Sequence, residues 1–168
     1  MQVIPFIDIF AGPGGLSEGF SRLAEFADGK VHFESRLAIE KDPVAARTLE
    51  LRSFYRNYPA GMAPDDYYQV IRGEKAITSI TQLAEWKRAA GHVWCAELGQ
   101  IPEANLHRRI AEVLNGERNW VLLGGPPCQA YSLMGRARMT GVGAAAREEN
   151  ENVEKFFKSF SVSASKTK

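Results

Sequence analysis

A chain of 168 residues, 45% apolar and with a formal net charge of +1, has room for one domain with a real core and is too short for two ordinary ones. Near-neutrality excludes a broad electrostatic field, so any nucleic-acid contact has to come from local clusters or from a surface this chain lacks. Two cysteines, Cys95 and Cys128, are too few for a disulfide scaffold, and neither a signal-like amino terminus nor a bilayer-length apolar run is present, so a cytoplasmic protein with reduced thiols is expected.

Residues 3 to 10 form an apolar run interrupted only by Pro5 and Asp8, and they lead into Ala11-Gly12-Pro13-Gly14-Gly15. This reads as strand, glycine turn, helix. The helix carries Leu16, Phe20, Leu23, Ala24 and Ala27 at helical spacing and stops at Asp28-Gly29. A glycine turn in that position lets a ligand approach bare backbone N–H groups at a helix N-terminus. As a dinucleotide fingerprint it is imperfect: Ser17 stands where a glycine or alanine is wanted, and Pro13 is foreign to it. Asp8, a carboxylate in a buried strand, needs partners, and holding the loop in shape is one use for it.

His32 to Glu40 is the second strand, followed by a helix capped by Asp42 with Pro43 in its first position and with Val44, Thr48, Leu51 and Tyr55 on one face. Glu40 ends its strand 25 residues beyond Gly15, near the roughly 20-residue spacing at which such folds place an acid for ribose hydroxyls; the alternative is a solvated charge. Residues 56 to 78 read as an irregular excursion over the surface and receive no chemistry. Ser79 and Gln82 then make a capping box for a helix ending at Gly91. Val93 to Gly99 is the third strand, with Glu97 near its end. The next helix starts at Pro102, buries Leu106, Ile110, Val113 and Leu114, and stops at Asn115-Gly116.

Trp120 to Leu123 is short and apolar throughout, as a strand buried on both faces of a parallel sheet would be. It runs without a break into Gly124-Gly125-Pro126-Pro127-Cys128-Gln129-Ala130-Tyr131-Ser132. Cys128 therefore lies just past a strand's carboxyl end, the edge at which open α/β sheets bind ligands. Two glycines allow a sharp turn and two prolines fix φ, so the sulfur is held in one direction, as a nucleophile requires. The bland alternative is a small buried hydrophobe. Beyond residue 135 the pattern changes to Arg136, Arg138, an alanine run, an acidic patch and a Ser/Lys tail, so residues 1–135 are read as the catalytic part and 136–168 as a poorly ordered tail. Arg136 and Arg138 are candidate phosphate contacts or plain solvated charges. The order of elements predicts a parallel sheet with helices on both faces.

The two loops carry a resemblance. Gly-Gly-Pro-Pro-Cys-Gln-x-(aromatic)-Ser around Cys128 resembles the catalytic loop of the DNA (cytosine-5)-methyltransferases, and Phe6-Ile7-Asp8-Ile9-Phe10-Ala11-Gly12-Pro13-Gly14-Gly15 resembles their cofactor loop. It covers residues 3 to about 138. It implies a Rossmann-like S-adenosylmethionine-dependent methyltransferase fold, truncated after the fourth parallel strand, with strand order 3-2-1-4. It also implies Cys128 as the catalytic nucleophile on a flipped-out cytosine, Gly12 and Gly14 cradling S-adenosylmethionine, Phe10 against the adenine, Glu40 on the ribose hydroxyls and Glu97 at the adenine amino group. For Phe10 the alternative is a core aromatic, and for Glu97 a strand-end surface charge.

In that order Cys95 and Cys128 stand three strand spacings apart, about 14 Å at ~4.8 Å each, too far for a disulfide. DNA is the implied partner and no metal is implied. Glu151-Asn152-Val153 has the letters of the family's cytosine-binding motif but follows Arg147-Glu148-Glu149-Asn150, which do not form its buried strand. The chain is thus expected to be inactive alone, a second polypeptide supplying the missing carboxyl-terminal part. A non-catalytic remnant that binds cofactor or a partner is the alternative. A nicotinamide or flavin oxidoreductase is disfavoured by Pro13, Ser17 and the Pro-Pro-Cys loop.

Overall fold

The computed structural model describes residues 2–26 and 30–125. Four parallel strands, β1 (Gln2–Ile9), β2 (Val31–Glu40), β3 (Val93–Cys95) and β4 (Val121–Gly124), form one sheet in the order β3-β2-β1-β4. Six helices connect them: α1 (Gly15–Phe26), α2 (Pro43–Tyr55), α3 (Asp65–Ile71), α4 (Thr78–Thr81), α5 (Ala84–Gly91) and α6 (Glu103–Leu114). This is the expected α/β architecture and strand order, consistent with a Rossmann-like methyltransferase fold. The predicted domain boundary at residue 135, the tail beyond it, Arg136, Arg138 and the Glu151-Asn152-Val153 segment lie outside the described residues, as does the Asp28-Gly29 stop.

The central strand β1 is buried from Pro5 to Ile9, and its alternate residues serve two cores. Ile7 and Ile9, with Leu37 and Ile39 of β2, pack under Leu106 and Ile110 of α6. Phe6 points the other way, toward Phe20 of α1, whose ring meets Phe33 of β2 edge-on at 5.4 Å. A bulge joins the two strands: Phe6 pairs with Ser35 and Ile7 with Leu37, leaving Arg36 unopposed. A separate hydrophobic cluster of Phe54, Ile80, Trp86 and Ala89 ties α2 to α4 and α5.

Several local expectations hold. Asp42 caps α2, its Oδ1 accepting from Val44 N and Ala45 N at 2.8 Å with Pro43 following. α6 buries Leu106 and Ile110, half-buries Val113 and Leu114, and ends at a left-handed Asn115 with φ 48°.

Others are corrected. The inner face of α1 is turned by about one residue: Leu16 and Leu23 are exposed and Ser17 is fully buried, because Asp8 beneath the helix offers Ser17 a hydrogen bond. In α2 the buried residues are Ala46, Leu49 and Phe54, with Val44 74% exposed, because the Asp42 cap fixes the helix's rotation and brings Leu49 under Gly14. The excursion over 56–78 contains α3, which buries no residue fully. Ser79 and Gln82 form no capping box: Ser79 lies inside the one-turn α4, its hydroxyl buried without a partner among the described residues, and Leu83 intervenes before α5. β3 has three residues, so Glu97 stands in the turn after it. β4 is half-buried, since among the described residues only β1 flanks it.

Candidate cofactor site at the carboxyl edge of the sheet

The chain leaves β1 through a backbone that only special residues tolerate. Phe10 has φ 54°, Gly12 55° and Gly14 90°. A left-handed phenylalanine is unfavourable by about 1–2 kcal/mol and persists only where its surroundings fix it. Here the surroundings do so: Ala11 N donates to Ile39 O at 3.1 Å and Gly14 N donates to Ala11 O at 3.0 Å, while the Phe10 ring lies half-buried on the α6 core. The Phe10 ring thus packs partly on core and stays partly open.

Glu40 closes the turn from the neighbouring strand. Its Oε2 accepts from Gly12 N at 2.7 Å and its Oε1 from Asp42 N at 2.8 Å, so one carboxylate joins the glycine turn to the start of α2. A carboxylate has about four lone-pair sites, and these two bonds leave acceptor capacity for a ligand's hydroxyls. A side chain on Gly12 would meet nothing within 4 Å, so that residue faces open space.

Below the turn lies a pair that the sequence reading half anticipated. Asp8 and Ser17 are both 0% exposed, and Ser17 Oγ donates to Asp8 Oδ2 at 2.5 Å. Asp8 Oδ1 has no partner among the described residues. Burial raises the Asp8 pKa above the usual carboxylate value; the hydroxyl and backbone N–H of Ser17 and the nearby Arg56 pull it down, and Glu40 pushes it up. The clue was the serine at the fingerprint's small-residue position, which is occupied for its hydroxyl.

Glu97 follows β3 at the same edge, where Ala96 N donates to Glu40 O at 2.9 Å. It is exposed and pairs with Lys41 at 3.6 Å, and Lys41 was not foreseen. Phe10, Gly12, Gly14 and Glu40 are therefore brought together, with Glu97 on the rim. Cys128 lies outside the described residues, which end at Gly125, one residue past β4. Gly124 pairs with Ile9 so closely that a Cβ on it would lie 2.6 Å from Ile9 O. Cys95 is exposed, with its thiol 3.8 Å from Lys41 O. Among the described residues no cluster of His, Cys, Asp or Glu could hold a metal ion, and no helix is long and apolar enough to cross a membrane.

Comparison with known proteins places the chain near bacterial methyltransferases. It is 28% identical over 152 residues to a type II methyltransferase, M.Bpa9945I, of Bacillus paralicheniformis, a match covering 79% of this chain and 32% of that protein. It is 40% identical over 47 residues to a putative type II methyltransferase, M.OihORF3336P, of Oceanobacillus iheyensis, covering 28% of this chain and 10% of the relative. The chain thus spans about a third or less of the curated relatives it matches. No family model and no solved structure matches it.

Proposed function

We propose that this chain is the cofactor-binding, cysteine-bearing part of a DNA (cytosine-5)-methyltransferase. Its cofactor is S-adenosylmethionine, and its site residues are Phe10, Gly12, Gly14 and Glu40, with Glu97 at the rim and Cys128 as nucleophile. The observation that carries this reading is the Glu40 carboxylate bonded to Gly12 N at 2.7 Å, which sets an acid with spare acceptor capacity over a glycine turn open to a ligand. The type II methyltransferase relatives support a methyl donor there, and the Pro-Pro-Cys loop supports cytosine as the acceptor.

In that assignment Phe10 offers its open part to the adenine, Glu40 accepts from the ribose hydroxyls, and the turn lets the methionine part approach bare backbone. Bound there, S-adenosylmethionine supplies a methyl group on a sulfonium sulfur. The Cys128 thiolate adds to C6 of a cytosine turned out of the duplex, which makes C5 nucleophilic. C5 takes the methyl group and gives up its proton to a base, and the C6–S bond breaks to return the thiolate. The recognition surface for DNA and the remainder of the site come from a second polypeptide or further chain, in keeping with the fraction of its relatives this chain spans.

The test is labelled S-adenosylmethionine with mixed-sequence DNA and the purified chain, with and without the complementary part of the first relative. Cys128→Ser serves as the blank. Methylation at C5 of cytosine above that blank, only when the complement is present, is the expected result. Label on adenine or on the cytosine amino group would replace the cytosine-5 assignment.

A further inference from the structure

The Asp8–Ser17 pair is the only fully buried polar contact joining β1 to α1 among the described residues, and it passes directly beneath the glycine turn. The turn has few other ties. Ala11 N and Gly14 N use backbone carbonyls, Gly12 N uses Glu40, and Glu18 N donates to Gly14 O at 3.0 Å. The first-turn N–H groups of a helix lack intrahelical partners, and an acid there is favourable. Asp8 places an acid beneath that first turn and accepts from the hydroxyl of Ser17, a side-chain tie from β1 to α1.

We infer that Asp8 and Ser17 are positioning residues, which set where the first turn of α1 sits over β1 and thereby hold the glycine turn in its ligand-ready shape. Neither touches the ligand in this account. The cost of burying the carboxylate is offset by a fixed backbone above it, as Phe10 and Gly14 at positive φ require. An apolar pair would pack there too, but would leave α1 free to slide. Only the ligand half of the inference rests on the cofactor reading above; the backbone half does not.

The experiment uses the whole chain, in wild-type form and as Ser17→Ala and Asp8→Leu/Ser17→Ala. The double variant keeps the branched shape at position 8 and removes both polar partners, a change that is often neutral for stability. Amide hydrogen exchange at Gly14 and Glu18 reads the turn, calorimetry reads S-adenosylmethionine, and the thermal midpoint reads the fold. Both variants are expected to exchange about tenfold faster at Gly14 and Glu18 than wild type, with Phe6 to Ile9 unchanged, and to bind about tenfold more weakly, while the double variant regains the wild-type midpoint. Unchanged exchange in the double variant, or affinity that returns with its midpoint, would overturn the inference. Absence of binding by the wild type would remove the cofactor reading and leave exchange alone to decide.

Discussion

Gly14 and Leu49 meet with no room to spare: a Cβ built on Gly14 would lie 2.6 Å from Leu49 Cδ2, and the backbone there has φ 90°. Two residues before it, Gly12 also has a positive φ, 55°, yet a Cβ on it would touch nothing within 4 Å. One glycine is required by packing and the other by backbone alone, and substitution separates them. Gly14→Ala is expected to destabilise the chain by about 2–4 kcal/mol, combining left-handed strain with overpacking against a buried leucine. Gly12→Ala is expected to cost only about 1–2 kcal/mol but to block the turn to S-adenosylmethionine. Urea unfolding with calorimetry checks both, and equal stability losses would show that Leu49 moves aside.

Glu40 serves two backbone donors in the ligand-free chain, so its removal should be felt before any cofactor is added. Glu40→Ala is expected to lose about 1–3 kcal/mol of stability and at least tenfold in affinity for S-adenosylmethionine. If the variant binds as well as wild type, Glu40 leaves the site and keeps only its structural role. Tighter binding of NAD than of S-adenosylmethionine would change the cofactor itself.

Burial holds the Asp8 pKa above its unfolded value. The native chain therefore binds this proton more readily than the unfolded one, and the Asp8 contribution to stability is largest in acid and is lost as pH rises from the unfolded value through the folded one. Asp8→Asn should flatten the stability profile over that acid range. An unchanged slope in wild-type and variant denaturation curves over the acid range above the ordinary carboxylate value would place the titration elsewhere.

His92 behaves in the opposite sense. Burial lowers its pKa, with Arg36, Arg56 and Arg109 acting in the same direction and Glu34 against them. The unfolded chain takes up this proton first, so stability is fully present above the ordinary histidine value and falls as pH drops below it toward the folded value. His92→Gln should remove that decline, and proton NMR of the imidazole would locate the titration directly.

An oligonucleotide carrying 5-fluorocytosine, mixed with this chain and its complement, is expected to become covalently attached through Cys128, because fluorine does not leave C5 as a proton does. An adduct that persists in Cys128→Ser, or one that disappears in Cys95→Ser, would show that the wrong thiol has been assigned.

The features legible in the sequence were those written in local chemistry. Asp42-Pro43 opens a helix, Asn115-Gly116 closes one, and the spacing of Leu106 and Ile110 gives the buried face between. The parallel sheet followed from the alternation of elements, and its strand order from the family resemblance. The phase of α1 was hidden because a buried serine counts as surface in any hydrophobic pattern, and only Asp8 makes that position favourable. α3 was hidden because its seven residues rest on Phe54 and Tyr55 through Tyr67 without burying any of them completely. At the site, Glu40 was placed by its spacing from the turn, but its bond to Gly12 depends on tertiary register.

That register has a phase, and the bulge at Arg36 sets it. With Phe6 beside Ser35 and Ile7 beside Leu37, the strand skips one residue, so Leu37 and Ile39 fall in step with Ile7 and Ile9 instead of Arg36 and Ala38. Because side chains alternate with period two, ironing out the bulge with Arg36 kept in the ladder would exchange the two faces of everything from Leu37 to Glu40. The guanidinium would enter the oily layer under α6, and the carboxylate would turn away from Gly12. Deleting Arg36 itself would thus straighten the strand and leave the parity at the glycine turn intact, whereas a change that pairs Arg36 with Ile7 would act as a parity error there.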